Sequence, residues 1–224
     1  MGNSINTVLE TGTGEYEEKR SRFLSWIFQV NNEEQAQAYL ADLKKQYYDA
    51  RHHCYAYMID YELGLQKFSD DGEPSGTAGL PILEVIKKRQ LANVQIVVVR
   101  YFGGIHLGAP GLVRAYGKAA SSAIENTQVV TRRLCYKTYV TSDYPMHGKI
   151  RNFLDTNDFP IADIHFTDIV KFELYIENDR ADFFNKQITE ITGGKSQIDY
   201  NQKLFAYFNE KGDFLTVENE YFPS

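Results

Sequence analysis

Runs of hydrophobic positions in this chain change period several times, and each change marks the end of one element and the start of another. Arg22 to Val30 alternates, with Leu24, Trp26, Phe28 and Val30 on one face, which predicts a half-buried strand. Asn31 or Asn32 is placed to cap a helix over about 33–48 that carries Ala36, Leu40, Leu43 and Tyr47 along one side. His53 to Tyr61 alternates again, with Cys54, Ala56, Met58 and Asp60 opposite Tyr55, Tyr57 and Ile59. A partner strand at Leu65 to Phe68 is expected across a turn at Glu62 to Gly64. After a polar loop from Ser69 to Gly79, a helix with Pro81 in its first turn should end near Lys88. Val94 to Val99 is an unbroken β-branched run that suits a strand covered on both faces. A glycine-rich turn follows, then a helix from Pro110 to about Glu125.

From Leu134 the periods follow a new sequence. Strand (134–141), helix (146–156), strand (161–166), strand (169–176), helix (180–192) and strand (195–208) make a β-α-β-β-α-β order, the split βαβ arrangement of ferredoxin-like domains. Ile150, Phe153 and Leu154 on the first helix, and Phe183, Phe184, Gln187, Ile188 and Ile191 on the second, are the side chains expected to pack on the sheet. Gly193-Gly194 is a helix stop. The tail after Asn209 is read as a short hairpin or a loose end. The fold class is α+β in two domains, 1–131 and 132–224, and 224 residues are enough for each to bury a core.

Charge and cysteine usage narrow the function. The net charge is −6, and a division after Thr131 leaves both parts negative, so neither is a basic nucleic-acid module in bulk. Any RNA contact must be a local basic patch, with modest affinity and strong salt dependence. The two cysteines, Cys54 and Cys135, fall in different domains and suit a reducing compartment. No apolar run approaches the ~20 residues needed to cross a bilayer. The first residues lack the basic start and apolar core of a secretory signal, and Asn6 breaks the myristoylation pattern. A cytoplasmic protein without membrane contact is expected.

The junction VQIVVVRYFGGIHLGAPGLVRAYG, Val94 to Gly117, carries the strongest chemical signal. Gly103, Gly104, Gly108 and Gly111 permit positive φ or a close backbone approach. Arg114 and Lys118 lie one turn apart near the positive end of a helix dipole, which favours an anion such as phosphate. Gly103 to Gly108 has half of a P-loop but continues Ala109-Pro110 where lysine and a hydroxyl belong, and the spacing is not that of a dinucleotide fingerprint. The acidic loop Ser69 to Thr77 is open to two readings, a divalent-cation or substrate loop or a solvated turn. Its Ser75 is out of register with a nucleophile elbow. His52, His53 and Cys54 alternate faces and cannot all reach one ion, so no metal and no cofactor is expected. A Cys54–His106 nucleophile pair competes with Cys54 as an ordinary core residue.

Four motifs in order, SRF at Ser21 to Phe23, ARHHCYAY at Ala50 to Tyr57, FSDDGEPSGTAGLPIL at Phe68 to Leu83 and RYFGGIHLGAPGLVRAYG from Arg100, resemble the IMPACT/YigZ family over about 21–126. The rest of the chain resembles the smaller C-terminal domain of bacterial members. The resemblance implies a first domain similar to the second domain of ribosomal protein S5 and a ferredoxin-like second domain similar to one in the translocation elongation factor. It also implies a link to translation control, because eukaryotic relatives restrain a kinase that responds to amino-acid starvation. They do so largely through an additional N-terminal domain for which there is no room before Ser21, so the kinase role is not expected here.

The combined expectation is a protein that binds RNA or a ribosome-associated partner and modulates translation, without catalysis. Arg100, Gly103, Gly104, Gly108, Arg114 and Lys118 form the anion-contacting edge, and Arg51, His53, Asp70, Asp71 and Glu73 a neighbouring rim. The rivals are a small hydrolase that uses the acidic loop with a metal, and a protein-interaction module without nucleic-acid affinity.

Overall fold

Two units make up the chain, Ser4–Val130 and a second that begins at Thr131, in a computed structural model that describes residues 4–59 and 64–218. Asp60 and most of the turn expected at Glu62 to Gly64 lie outside the described residues.

The first unit runs β1 (Ser4–Val8), β2 (Gly12–Glu18), β3 (Ser21–Gln29), α1 (Glu33–Gln46), β4 (His52–Ile59), β5 (Leu65–Ser69), α2 (Gly79–Lys88), β6 (Val94–Tyr101) and α3 (Gly108–Glu125). Five strands form an antiparallel sheet in the order β2-β3-β6-β4-β5. Asn32 caps α1 by accepting the Gln35 N–H, and Ala36, Leu40 and Leu43 seat that helix over Phe28, Val30, Tyr57 and Val97. On the opposite face α2 and α3 cover Phe23, Ile27, Cys54, Ala56, Ile96 and Val98. β6 is central with both faces covered, which is why its sequence is continuously apolar.

Two local expectations change, and one strand appears that the sequence did not signal. β3 is not half-buried: Phe23 and Ile27 enter one core while Phe28 and Val30 enter the other. Its alternation is legible only on the α1 face because Ser25, on the opposite face, is a small polar residue that donates to the Ala119 carbonyl of α3 at 2.6 Å. β2 had only a weak hydrophobic signature, since Gly12 and Gly14 precede Tyr16 on its inward face. A Cβ on Gly12 would stand 2.3 Å from the Ala123 carbonyl oxygen, so the strand is glycine where α3 presses on it. Finally, α3 starts at Gly108, two residues earlier than expected, with Pro110 still inside the first turn where it displaces no hydrogen bond.

The second unit contains β7 (Val129–Ser142) from Thr131 onward, α4 (Tyr144–Thr156), β8 (Ile161–Phe166), β9 (Val170–Glu177), a 3₁₀ turn at Asn178–Arg180, α5 (Ala181–Thr192), β10 (Gln197–Phe208) and β11 (Phe214–Val217). Its strands order as β11-β10-β7-β9-β8. Ile150, Phe153, Leu154, Phe184 and Ile188 pack the helices on Val140, Phe172 and Leu174. Phe183 is exposed instead of packed on the sheet, with its ring against Phe153 and Phe159. Gly193, at φ 60°, ends α5. As far as residue 218 the tail is a hairpin, since β11 pairs with β10. No helix among the described residues is long and apolar enough to cross a membrane.

Candidate functional site

β6 runs past Val99 to Tyr101, which puts Arg100 in register with Phe23 of β3 on one side and His52 of β4 on the other. Flanked by strands on both sides, Arg100 is only 7% exposed. Its Nη1 donates to Glu73 Oε1 at 2.6 Å, and its Nη2 to Ser21 Oγ at 3.4 Å. The Tyr116 hydroxyl of α3 donates to the same Glu73 oxygen at 2.7 Å. Burial pushes the Tyr116 hydroxyl far above its ordinary pKa, so it remains a proton donor. The guanidinium also lies 5.4 Å from the Phe23 ring centroid and 5.6 Å from that of Phe102. Arg100 and Glu73 thus form a buried ion pair that ties the acidic loop to the central strand.

The other loop carboxylates are engaged as well. Asp70 accepts the backbone N–H groups of Gly76, Ala78 and Gly79 at 2.8, 3.0 and 2.9 Å. Ala78, the residue before α2, has no side chain that could cap it, and Asp70 supplies the missing acceptor. Asp71 accepts from the His53 amide at 2.7 Å and from Lys44 Nζ at 3.3 Å. Among the described residues, no group of three or more His, Cys, Asp or Glu could hold a metal ion.

His53 is buried beside Asp71, with its Nδ1 3.9 Å from the carboxylate. Burial holds its pKa below the ordinary histidine value despite that neighbour. Cys54 is buried in the core, with Sγ 3.0 Å from the Asp70 carbonyl and 3.3 Å from the Tyr116 hydroxyl. Burial raises the Cys54 thiol pKa, the reverse of what a nucleophile needs. His106, its suggested partner, is exposed and packs on the Phe102 ring instead. The structure therefore does not assemble a Cys54–His106 pair.

The residues expected to share one edge divide between two concavities of the first unit. One cleft, of about 670 Å³, has Arg51, His52, Glu73, Arg100, Phe102, His106 and Gly108 in its walls. Gly103 and Gly104 form the turn beside it. A Cβ on Gly103 would lie 2.0 Å from the Arg20 carbonyl carbon, so only glycine lets this turn pass the β2–β3 connection. Gly104 and Gly108 take φ values of 83° and 70°.

Arg114 and Lys118 open into the second concavity, a groove of about 840 Å³ bounded by α2, α3 and β2. Lys88 and Arg89 face them, and Glu15 and Glu125 are the acidic residues of the lining. Arg89 approaches Glu125 at 3.5 Å, while Lys118 Nζ meets the Tyr16 hydroxyl at 3.1 Å and lies 4.9 Å from that ring's centroid. Lys88, Arg89 and Tyr16 were absent from the sequence-derived site. The run Lys87-Lys88-Arg89 was visible, but its closeness to Arg114 depends on the packing of α2 against α3.

Comparison with known proteins places the chain among relatives. The family model described as the Impact N-terminal domain matches residues 19–124, and a domain of unknown function, DUF1949, matches 140–195. IMPACT family member YvyE of Bacillus subtilis is 45% identical over 198 residues, covering 88% of this chain and 91% of that protein. IMPACT family member YigZ of Escherichia coli is 32% identical, covering 80% and 89%. Protein IMPACT of Mus musculus is 38% identical over 96 residues, 41% of this chain and 30% of its own length. A crystal structure titled as that of a hypothetical protein aligns with a TM-score of 0.58 at 28% identity, covering 90% of this chain and 99% of its own. With similarity that extends over nearly the whole of its bacterial relatives, the chain belongs to the IMPACT family.

Proposed function

We propose that this protein is a translation-associated regulator that binds RNA, on the ribosome or with a translation factor, through the groove between α2 and α3. The observation that carries the reading is the convergence of Lys88, Arg89, Arg114 and Lys118 on one groove of a protein whose net charge is −6. Such a local cationic patch recruits phosphates and releases counterions, while the surrounding negative charge keeps affinity modest. The cations outnumber the two carboxylates in the groove, and Arg114 and Lys118 are both exposed. In this reading the first unit is similar to the second domain of ribosomal protein S5, and the second is a ferredoxin-like domain whose sheet widens the contact surface. In this reading the protein acts in the cytoplasm, and the resemblance to relatives linked with translation control supports that reading.

The test is co-sedimentation with ribosomes and subunits at low and moderate salt, alongside direct titration with RNA. Wild type should associate in a salt-sensitive manner, and Arg114→Glu should weaken the association about tenfold or more without loss of folding. Absence of the wild-type protein from every ribosomal fraction, with no RNA binding at low salt, would overturn the proposal.

A further inference from the structure

The cleft that holds Arg100 is separate from the basic groove and has a different chemistry. Its volume, about 670 Å³, falls in the range of small-molecule sites. One wall is the first turn of α3, where Gly108 and Ala109 are the opening residues. The amides of a first turn have no intrahelical acceptor, and here no capping side chain and no acidic residue serves them. Arg100 also lines the cleft; it is 7% exposed, and its Nε is buried with no hydrogen-bond acceptor among the described residues. Across from the turn, Arg51 is exposed, and among the described residues His52 engages its Nδ1, 2.9 Å from the Asp71 carbonyl. Of the two carboxylates in the lining, Glu73 is charge-matched by Arg100, while Asp49 keeps its charge and accepts from the Tyr101 hydroxyl at 2.8 Å. The remaining wall is aromatic. Phe102 is 51% exposed, and the His106 ring lies 5.3 Å from it.

We propose that this cleft binds a mononucleotide, with its phosphate at the start of α3 between Arg51 and Arg100 and its base stacked on Phe102. A phosphate satisfies the free amides and adds charge-assisted bonds to arginine. An exposed ring beside that phosphate accepts any base by its flat face, so selectivity among bases is weak. The same chemistry is presented by a free nucleotide and by the 5′-phosphorylated end of an RNA strand. The site does not depend on the α2–α3 groove, and its test is built to fail independently of that one.

The experiment titrates ¹⁵N-labelled protein with AMP, adenosine and inorganic phosphate, following the amide signals of Gly108 and Ala109, and measures affinities by calorimetry. AMP should shift both amides, and should bind at least about tenfold more tightly than either adenosine or phosphate alone. Arg51→Glu and Phe102→Ala, both at exposed positions, should each weaken AMP about tenfold, whereas Arg114→Glu should leave it unchanged. A 5′-phosphorylated trinucleotide that binds more tightly than AMP assigns the site to RNA ends, and equal or weaker binding assigns it to free nucleotides. The proposal is overturned if AMP at millimolar concentration leaves both amides in place, if adenosine or phosphate alone matches AMP, or if Arg114→Glu abolishes AMP binding.

Discussion

Arg100 and Arg114 belong to the same glycine-rich segment, yet the fold treats them in opposite ways. Arg100 lies on the central strand, closed in by β3 and β4, and its charge is matched at once by Glu73. Arg114 lies on the exposed side of α3, where Leu112, Ala115, Tyr116 and Ala119 face the core and Val113, Arg114 and Lys118 face outward. The first arginine holds the acidic loop in place, and the second is available to a partner. Residue type and sequence proximity therefore say little about how each cation is held; the position of each within its element decides.

The largest effect expected from breaking this contrast is on stability. Glu73→Ala leaves Arg100 buried without a counter-charge and should destabilise the fold by about 3–5 kcal/mol, measured by urea unfolding. Arg114→Ala should change stability by no more than about 0.5 kcal/mol. Similar losses for the two variants would show that Arg100 is not the anchoring residue described here. A smaller effect is expected one step along the same loop. Asp70→Ala removes the acceptor of three backbone N–H groups and should lose about 2 kcal/mol. Protease sensitivity should rise first between Ser69 and Gly79, and a variant still protected there would argue against Asp70 as the clamp.

Binding supplies the converse. Arg114→Glu should weaken RNA affinity about tenfold and lower the slope of log K against log salt by about one, with the urea midpoint unmoved. Arg100 cannot be tested this way, since its loss would disturb the loop and the cleft together.

Much of the first unit was legible because its strongest signals are local. The β-branched run of β6, a cap for α1 at Asn31 or Asn32 and the opposed faces of β4 each follow from short-range spacing. β2 was not legible: two of its inward residues are glycines whose purpose is visible only once α3 lies on them. The site was legible as a list of residues but not as an arrangement. Extending β6 by two residues makes Arg100 part of a cleft wall instead of an exposed surface group, and packing α2 on α3 brings in Lys88 and Arg89. Asp70 and Glu73 looked alike in the loop, and only their partners distinguish a helix clamp from an ion-pair anchor.

The smallest effect concerns His53, where burial again outweighs a nearby opposite charge. Asp71, 3.9 Å away, favours the protonated ring, but desolvation is larger and lowers the pKa. The folded state thus prefers neutral His53, whereas the unfolded chain takes up a proton at about pH 6.5. The stabilisation is complete above that value and is lost as pH falls from about 6.5 toward the lowered folded pKa. Wild-type melting temperature should therefore decline more steeply than that of His53→Phe between about pH 6.5 and 5.5, a window above most carboxylate titration. Parallel declines would mean that the ring is as easily protonated in the folded protein as in the unfolded chain. The burial that separates Arg100 from Arg114 would then not extend to this edge of the acidic loop.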